Sequence, residues 1–174
     1  MLIYNKDFSV SPITTHLPIK LVSKAINEKK IVSNVLEINN FYKKVLNKKP
    51  KFAVLGLNPH CESILKNNEE KKFIIPAIKK IKQKNISISG PFSADTFFLK
   101  DNMEKFDIAI GMYHDQVLTP IKTIYNFNAI NITIGLPFIR ISPDHGPNIS
   151  MVGKKKSDAT SIACAIDFIN KLKS

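Results

Sequence analysis

Short runs of β-branched and aromatic residues alternate with helical stretches along the whole chain, and this alternation constrains the fold most. The patterns predict buried or alternating strands at residues 52–57, 86–89, 106–110, 129–134 and 138–141. They also predict a helical region that begins at Pro18 and carries apolar residues as far as Leu46. Further helices are predicted at residues 69–83, 94–99, 116–124 and 157–172, and Pro76 and Pro120 are expected to disturb the helices in which they lie. Strands that alternate with helices are typical of α/β proteins, so α/β is the predicted fold class.

All six glycines fall at the junctions between these segments. They are Gly56, Gly90, Gly111, Gly135, Gly146 and Gly153. Loops at strand ends are where α/β proteins place their ligands. No GxGxxG motif follows a strand and no GxxxxGK[ST] motif occurs, so any nucleotide must be bound without a Rossmann fingerprint or a P-loop.

The composition excludes several other classes of protein. With 174 residues, 44% hydrophobic and 23% charged, the chain suits one soluble domain or part of a larger one. No apolar run reaches the roughly 20 residues of a membrane helix, and residues 1–12 lack a secretory pattern. Two cysteines, Cys61 and Cys164, are too few for a disulfide scaffold or a zinc cluster. We therefore expect a cytoplasmic protein with no membrane partner.

The net charge of +12 requires separate interpretation. Of the 26 basic residues, Arg140 is the single arginine and the rest are lysines, and the chain is also rich in Ile and Asn. An AT-rich genome produces this bias, whereas proteins that read nucleic acid typically use arginine with interleaved aromatics. We interpret the charge as a solvated, composition-driven face and expect no nucleic-acid partner. A basic nucleic-acid-binding module is the rival interpretation.

The four histidines all lie in loop-like segments between the predicted elements, and none lies in the middle of a strong amphipathic helix. They are His16, His60, His114 and His145. Three imidazoles from separate loops are a common way to hold a divalent metal and leave positions open for substrate. The alternative, that each is an ordinary surface or capping histidine, stays open at this point.

Two basic residues stand out for different reasons. Arg140 supplies a planar fork that grips a carboxylate or phosphate bidentately, which lysine cannot do, although a surface ion pair explains it equally well. Lys122 follows Pro120 and Ile121 and suits an anion ligand or proton donor, but by itself it is indistinguishable from many surface lysines.

Several long motifs occur in order along the chain. They are TTHLP at 14–18, GLNPH at 56–60, GP at 90–91 with ADT at 94–96, MYHDQ at 112–116, NITIGLPFIR at 131–140 and DHG at 144–146. Taken together, the chain resembles the 4-hydroxythreonine-4-phosphate dehydrogenase family of pyridoxal phosphate biosynthesis. The likeness runs across essentially the whole chain but covers the C-terminal half of that family. We therefore expect residues 1–174 to correspond to the C-terminal portion, with the N-terminal portion absent.

The resemblance implies an isocitrate/isopropylmalate-dehydrogenase-like fold and a homodimer with the active site at the interface. It implies that three histidines are the ligands of a divalent metal (zinc, magnesium or cobalt) shared between two subunits: His16, His60 and His114. It also implies that Lys122, Asn131 and Arg140 contact the substrate, and that NAD is bound partly by the segment 144–158. In that segment His145, Gly146 and Gly153 are the cofactor candidates.

The activity that the resemblance implies is NAD-dependent oxidation of 4-phosphohydroxy-L-threonine to a β-keto acid, which decarboxylates to 3-amino-2-oxopropyl phosphate. A metal on three imidazoles suits this chemistry because it lowers the pKa of the substrate hydroxyl and stabilises the enolate. Lys122 is the expected catalytic residue that holds anionic groups or moves a proton. Asp115 is expected to orient His114 or contact substrate, and a helix cap is its alternative role.

Three segments depart from the family pattern. Cys61-Glu62 begins a sequence that replaces a glycine-rich loop after His60, Val117 replaces a glycine after Gln116, and the segment after Gly146 has lost a second glycine at Lys155. These changes bear on NAD binding and substrate choice, and a sugar-acid phosphate is an alternative substrate. An inactive remnant, a dimerisation fragment and a partner of a separate N-terminal half are further alternatives.

Overall fold

A mixed sheet organises the computed structural model, which describes residues 1–62, 67–146, 149–154 and 157–172. Within these residues the sheet has seven strands. Their bounds are β1 Leu2–Tyr4, β2 Ser9–Thr14, β3 Phe52–Leu55, β4 Ile88–Phe92, β5 Ile108–Tyr113, β6 Ile130–Thr133 and β7 Arg140–Pro143. The α/β class predicted from the sequence is confirmed.

Helices connect the strands. They are α1 Ile19–Ala25, α2 Glu28–Val45, α3 Ile75–Lys82, α4 Ala94–Phe97, α5 Lys100–Met103, α6 His114–Tyr125 and α7 Thr160–Lys171, with a π-helical turn at Glu70–Ile74 and short 3₁₀ turns at Pro59–Cys61 and Ile149–Met151. The Asn27 side chain accepts a hydrogen bond from the backbone N–H of Lys30 and so caps α2, which divides the region opened by Pro18 into two helices. The π turn lies directly before Pro76, at the position where the sequence predicts a disturbed helix. Proline lacks the backbone N–H that a continuous α-helix needs, so the helix is irregular in the turn before it.

The strand order β4-β3-β5-β2-β1-β6-β7 places two kinds of pairing side by side. Strands β4, β3, β5 and β2 are parallel, whereas β1, β6 and β7 join as antiparallel neighbours. The carboxyl ends of β2, β3, β4 and β5 therefore meet at one edge of the sheet, which is where an α/β protein presents its ligand-binding loops.

The core lies on both faces of the sheet. Successive strand residues alternate between faces, so that Phe52 and Val54 contact the cluster under α2, α3 and α7, whereas Ala53 and Leu55 contact the cluster under α6. All four are completely buried. Two helical layers thus cover the middle of the sheet and hold its strand-end loops in fixed positions.

The strand bounds differ from the sequence predictions in four places. Strand β4 begins and ends later and continues through Gly90 and Pro91, which is permitted because β4 is an edge strand. Strand β5 continues past Gly111, which pairs with Pro12, and β7 begins at Arg140, opposite Thr133. No element was predicted from the sequence at residues 1–14, yet β2 is a central strand. Its six residues are all buried, but its two serines and its proline hide the apolar pattern of a buried strand.

Several apolar side chains remain exposed, and two groups of them stand out. On α7 they form a stripe of Ile162, Ile166 and Ile169, and in the β6–β7 loop they are Leu136, Phe138 and Ile139. Exposed apolar groups at such helical spacing are typical of a face that packs against another surface. Among the described residues, no helix is both long and apolar enough to cross a membrane.

Candidate active site

Two of the sequence-predicted histidines meet at the carboxyl edge of the parallel strands. His16 follows β2 and His114 follows β5, and these strands are neighbours in which Thr14 pairs with Tyr113. The Thr14 hydroxyl donates a hydrogen bond of 2.8 Å to the carbonyl of Met112 and fastens the two ends together. The imidazole centroids of His16 and His114 lie 5.7 Å apart.

Asp115 lies beside this imidazole pair. Its Oδ1 is 2.6 Å from Nδ1 of His114, and its carboxylate is otherwise largely exposed. A carboxylate at one ring nitrogen fixes the tautomer and leaves Nε2 free to bind a metal or accept a proton. Among the described residues, no side chain caps the start of α6 by a hydrogen bond.

His60 occupies the loop after β3, next to β5 in the sheet. Its side chain is 75% exposed, and its Nδ1 lies 3.7 Å from Oδ2 of Asp95. His60 and Cys61 are consecutive residues with φ values of 56° and 58°. Left-handed backbone at two adjacent non-glycine residues costs of order 1–3 kcal/mol each and persists only where surrounding contacts enforce it. The residues 63–66 that follow, where the family's glycine-rich loop is replaced, lie outside the described part of the chain.

The candidate donors fit a divalent metal only in part. Over the described residues, no three His, Cys, Asp or Glu side chains converge at metal-binding spacing. The chain brings His16 and His114 together, and His60 does not complete a three-donor group with them. Two imidazoles with one oriented by a carboxylate are chemically suited to a divalent metal, which leaves further donors to come from elsewhere.

Two polar side chains that sequence reasoning did not select hold the loop carrying His60. Glu70 is 1% exposed, and its carboxylate accepts hydrogen bonds from the backbone N–H groups of Leu57 and Asn58. Gln116 donates to the carbonyl of Gly56 and accepts from the N–H of Met112. Nothing in the local sequence distinguishes Glu70 from a solvated helical glutamate, whereas Gln116 belongs to the MYHDQ motif.

Lys122 lies on α6, eight residues beyond His114, which is about 12 Å along the helix axis at 1.5 Å per residue. Its ammonium donates to the backbone carbonyl of Asp144 and to its Oδ2, the latter at 3.0 Å, and lies 5.8 Å from the centre of the Phe127 ring. Asp144 is buried, and its backbone N–H donates to the hydroxyl of Ser161. Sequence reasoning missed Asp144 although it stands in the DHG motif.

Asn131 and Arg140 lie on the antiparallel strands β6 and β7. Arg140 pairs with Thr133 across these strands and donates to its hydroxyl at 3.0 Å, so the guanidinium is exposed and makes no carboxylate contact there. In the part of the chain that the structure describes, Asn131 Oδ1 is the buried side-chain polar atom without a hydrogen-bond partner. An unpaired buried oxygen is unfavourable, so this acceptor suits a ligand that donates a hydrogen.

The three cofactor candidates lie in an exposed segment. His145 is exposed and its ring stands 6.5 Å from that of Phe127. Gly153 has a φ of 76°, and a Cβ built on Gly146 or Gly153 would meet no atom of the described residues within 4 Å. Residues 147–148 and 155–156, including Lys155, lie outside the described part of the chain.

Two departures from the family pattern are explained by neighbouring glycines. A Cβ on Gly111 would lie 2.4 Å from Cγ1 of Val117, so the missing side chain at 111 provides the space that Val117 fills. Similarly, a Cβ on Gly56 would lie 2.7 Å from Sγ of Cys61. Burial raises the pKa of the Cys61 thiol, and a hydrogen bond with the backbone of Gly56 opposes that shift.

The fold and these strand-end loops define an α/β protein in which three candidate histidines, His16, His60 and His114, follow separate parallel strands at the carboxyl edge of the sheet. The sequence profile described as pyridoxal phosphate biosynthetic protein PdxA matches residues 1–169, and the chain belongs to this family.

Curated relatives and solved structures agree with this assignment. The chain is 43% identical to a 4-hydroxythreonine-4-phosphate dehydrogenase of Sulfurihydrogenibium, over 99% of this chain and 54% of the relative, and 36% identical to that of Bradyrhizobium diazoefficiens, over 99% and 50%. The enzyme of the same name from Klebsiella pneumoniae matches in structure with a TM-score of 0.84 at 29% identity, over 99% of this chain and 53% of that chain. The chain thus spans about half the length of the curated relatives it matches, and the predicted partial fold of this family is confirmed.

Proposed function

We propose that this chain supplies the C-terminal portion of a metal- and NAD-dependent dehydrogenase acting on 4-phosphohydroxy-L-threonine. The name of the relatives supports the substrate and the reaction class. The observation that carries the proposal is the His16–His114 pair at the edge of the sheet, with Asp115 held against His114.

His16, His60 and His114 would hold the divalent metal (zinc, magnesium or cobalt). Such a metal, when bound, acts as a Lewis acid that favours the alkoxide of the substrate. Asp115 fixes the tautomer of His114 and so aims the second ring nitrogen at the site. His16 and His60 are exposed, which suits ligands shared with a second copy of the chain in a homodimer.

The substrate-binding residues would be Lys122, Asn131 and Arg140. The unpaired Oδ1 of Asn131 accepts a hydrogen from the substrate, and the exposed fork of Arg140 grips its carboxylate or phosphate. Lys122 in this structure donates to Asp144. We propose that it exchanges this partner for an anionic group of the substrate, to which it can also donate a proton.

NAD would lie against the segment 144–158, with His145, Gly146 and Gly153 beside it. The open space around both glycines supports a close approach of the cofactor to the backbone. The keto acid formed by hydride transfer then loses carbon dioxide to give 3-amino-2-oxopropyl phosphate.

An N-terminal half would complete the second wall of the cleft. The exposed isoleucine stripe on α7 supports the presence of a further packing surface, whether from that half or from a second copy.

The test is metal-dependent reduction of NAD by the purified chain with 4-phosphohydroxy-L-threonine, with and without a separately expressed N-terminal half. We expect turnover, and we expect His114→Ala to lower it by at least about a hundredfold. Activity on a sugar-acid phosphate, without activity on 4-phosphohydroxy-L-threonine, would identify the sugar-acid phosphate as the substrate. Absence of turnover by folded protein under both conditions would contradict the proposal and favour a remnant or a dimerisation fragment.

A further inference from the structure

Four backbone groups at residues 56–58 of the loop that carries His60 are held by partners from other elements. The N–H of Gly56 donates to the carbonyl of Phe92 in β4 at 2.9 Å. The remaining bonds come from two side chains, Glu70 and Gln116. We propose that Glu70, supported by Gln116, is the positioning residue for His60, a role that rests on His60 being the metal ligand of the proposed function.

Glu70 reaches the loop from the π-helical turn before α3. Its Oε1 accepts from the N–H of Leu57 at 2.7 Å and from the N–H of Asn58 at 2.8 Å, and its Oε2 accepts from the Asn58 side-chain amide at 2.8 Å. Charged acceptors form stronger hydrogen bonds than neutral ones, and burial strengthens them further. A nearly inaccessible carboxylate is thereby devoted to the two residues that precede Pro59 and His60.

Gln116 holds the same loop from the opposite side. Its amide nitrogen donates to the carbonyl of Gly56 at 2.7 Å, and its oxygen accepts from the N–H of Met112 at 2.7 Å. Met112 lies in β5, two residues before His114. Gln116 therefore ties the loop of one candidate ligand to the strand that carries another.

The conformation of the loop explains why such support is needed. His60 and Cys61 both lie in the left-handed region, where non-glycine residues are disfavoured. Space matters as well, because a Cβ on Gly56 would lie 3.1 Å from Oε1 of Glu70. The strained pair is retained because Glu70 and Gln116 fix the backbone immediately before it.

The test compares Glu70→Gln with Glu69→Gln as the matched control. Both variants replace a carboxylate by an amide, but within the described part of the loop Glu69 accepts a hydrogen bond from the Asn58 side chain alone. In Glu70→Gln the new amide faces the Asn58 amide, donor against donor, and the loop contact weakens. Hydrogen exchange at the N–H groups of Leu57 and Asn58 is measured in metal-free protein, and Co²⁺ affinity is measured by calorimetry.

We expect Glu70→Gln to accelerate exchange at both amides and to weaken Co²⁺ binding, each by about tenfold or more, whereas Glu69→Gln changes neither by more than about twofold. Gln116→Ala, which acts from the other side of the loop, is expected to weaken Co²⁺ binding in the same direction. It is the second variant if Glu70→Gln fails to fold.

The outcomes separate this role from the proposed function. Unchanged exchange and affinity in Glu70→Gln and Gln116→Ala would overturn the positioning role, as would an affinity that falls in His60→Ala but in neither variant. Faster exchange together with a Co²⁺ affinity that even His60→Ala leaves unchanged would retain Glu70 as the residue that fixes the loop. That result would remove His60 from the metal site of the proposed function.

Discussion

The glycines of the histidine-bearing strand ends and those of the segment 144–158 behave in opposite ways. At Gly56 and Gly111 a Cβ would lie 2.7 Å and 2.4 Å from a neighbouring side-chain atom, so these glycines are demanded by packing within the chain. At Gly146 and Gly153 a Cβ would meet nothing within 4 Å among the residues that the structure describes. Family motifs contain both kinds of glycine, but the physical reasons for them differ.

This difference distinguishes the loops around the histidines, which packing already holds in place, from residues 144–158, which we call the open segment. Around the histidines, buried side chains such as Glu70 already hold the loops in position. The other segment is tied to the core at Asp144, through Ser161 and Lys122, and is mostly exposed where it is described beyond that point. Under the proposed function, the metal side of the site is formed by the chain itself, whereas the cofactor side gains its contacts from the ligand.

The largest effect should follow Gly111→Ala. Its Cβ would overlap Cγ1 of Val117, which is completely buried, and overpacking of this severity costs about 3 kcal/mol in the free energy of unfolding. Urea denaturation measures the change.

Val117→Ala supplies the control for that clash. The double variant Gly111→Ala with Val117→Ala should be more stable than the sum of the two single effects predicts, because the overlapping methyl is gone. Additive effects would show that Gly111 does not serve to accommodate Val117.

Lys122→Met should have the next largest effect. It leaves the buried carboxylate of Asp144 without its ammonium partner, which we expect to lower the free energy of unfolding by roughly 2 kcal/mol. Lys154→Met, at an exposed lysine of the open segment, is the control and should change stability by less than about 0.5 kcal/mol. Asp144→Asn added to Lys122→Met should recover part of the loss, and equal effects of the two lysine variants would contradict the pairing.

A smaller effect is expected in the open segment. Gly153→Ala should cost about 1 kcal/mol, since alanine is disfavoured at a φ of 76°, whereas Gly146→Ala should be neutral within about 0.5 kcal/mol. Both variants should weaken NAD binding in a fluorescence titration if the cofactor approaches this backbone. A Gly146→Ala variant as unstable as Gly111→Ala would erase the distinction between the two regions.

The smallest effect concerns acid stability. The Ser23 hydroxyl, followed by the Asn58 amide, donates to Glu69 and lowers the pKa of that carboxyl below its ordinary value of 4.5. A lowered pKa stabilises the folded chain above the ordinary value, and this contribution is lost as pH falls through the lowered pKa. Ser23→Ala should therefore raise the pKa of Glu69 in an NMR titration, and an unchanged pKa would contradict the assigned cause.

The sequence predicted the elements with strong patterns and missed those whose identity depends on their neighbours. The apolar run at β3 was sufficient to predict a buried strand. Strand β2, with its serines and Pro12, was missed because it is recognisable as a strand only through its position between β1 and β5. Likewise, Gly90 and Pro91 predict the end of a strand, but β4 continues through them because it lies at the edge of the sheet.

The candidate site shows the same division. Motifs selected His16 and His114 individually, and their proximity follows from the pairing of β2 with β5. Their roles, and those of Lys122, Asn131, Arg140 and the cofactor candidates, stay predictions. Glu70 could not be selected at all, since a buried carboxylate and a solvated one look alike in a lysine-rich helix. Its role depends on three hydrogen bonds that exist only in the folded loop.

The most direct test of the proposed metal site is a crystal structure of the chain grown with Zn²⁺, with diffraction recorded on both sides of the zinc absorption edge. The proposed function predicts an anomalous peak within about 2.1 Å of a ring nitrogen of His16 and of His114, with His60 as the further imidazole ligand. A zinc-loaded crystal without a peak between His16 and His114, or with zinc held only at other surface groups, would contradict it.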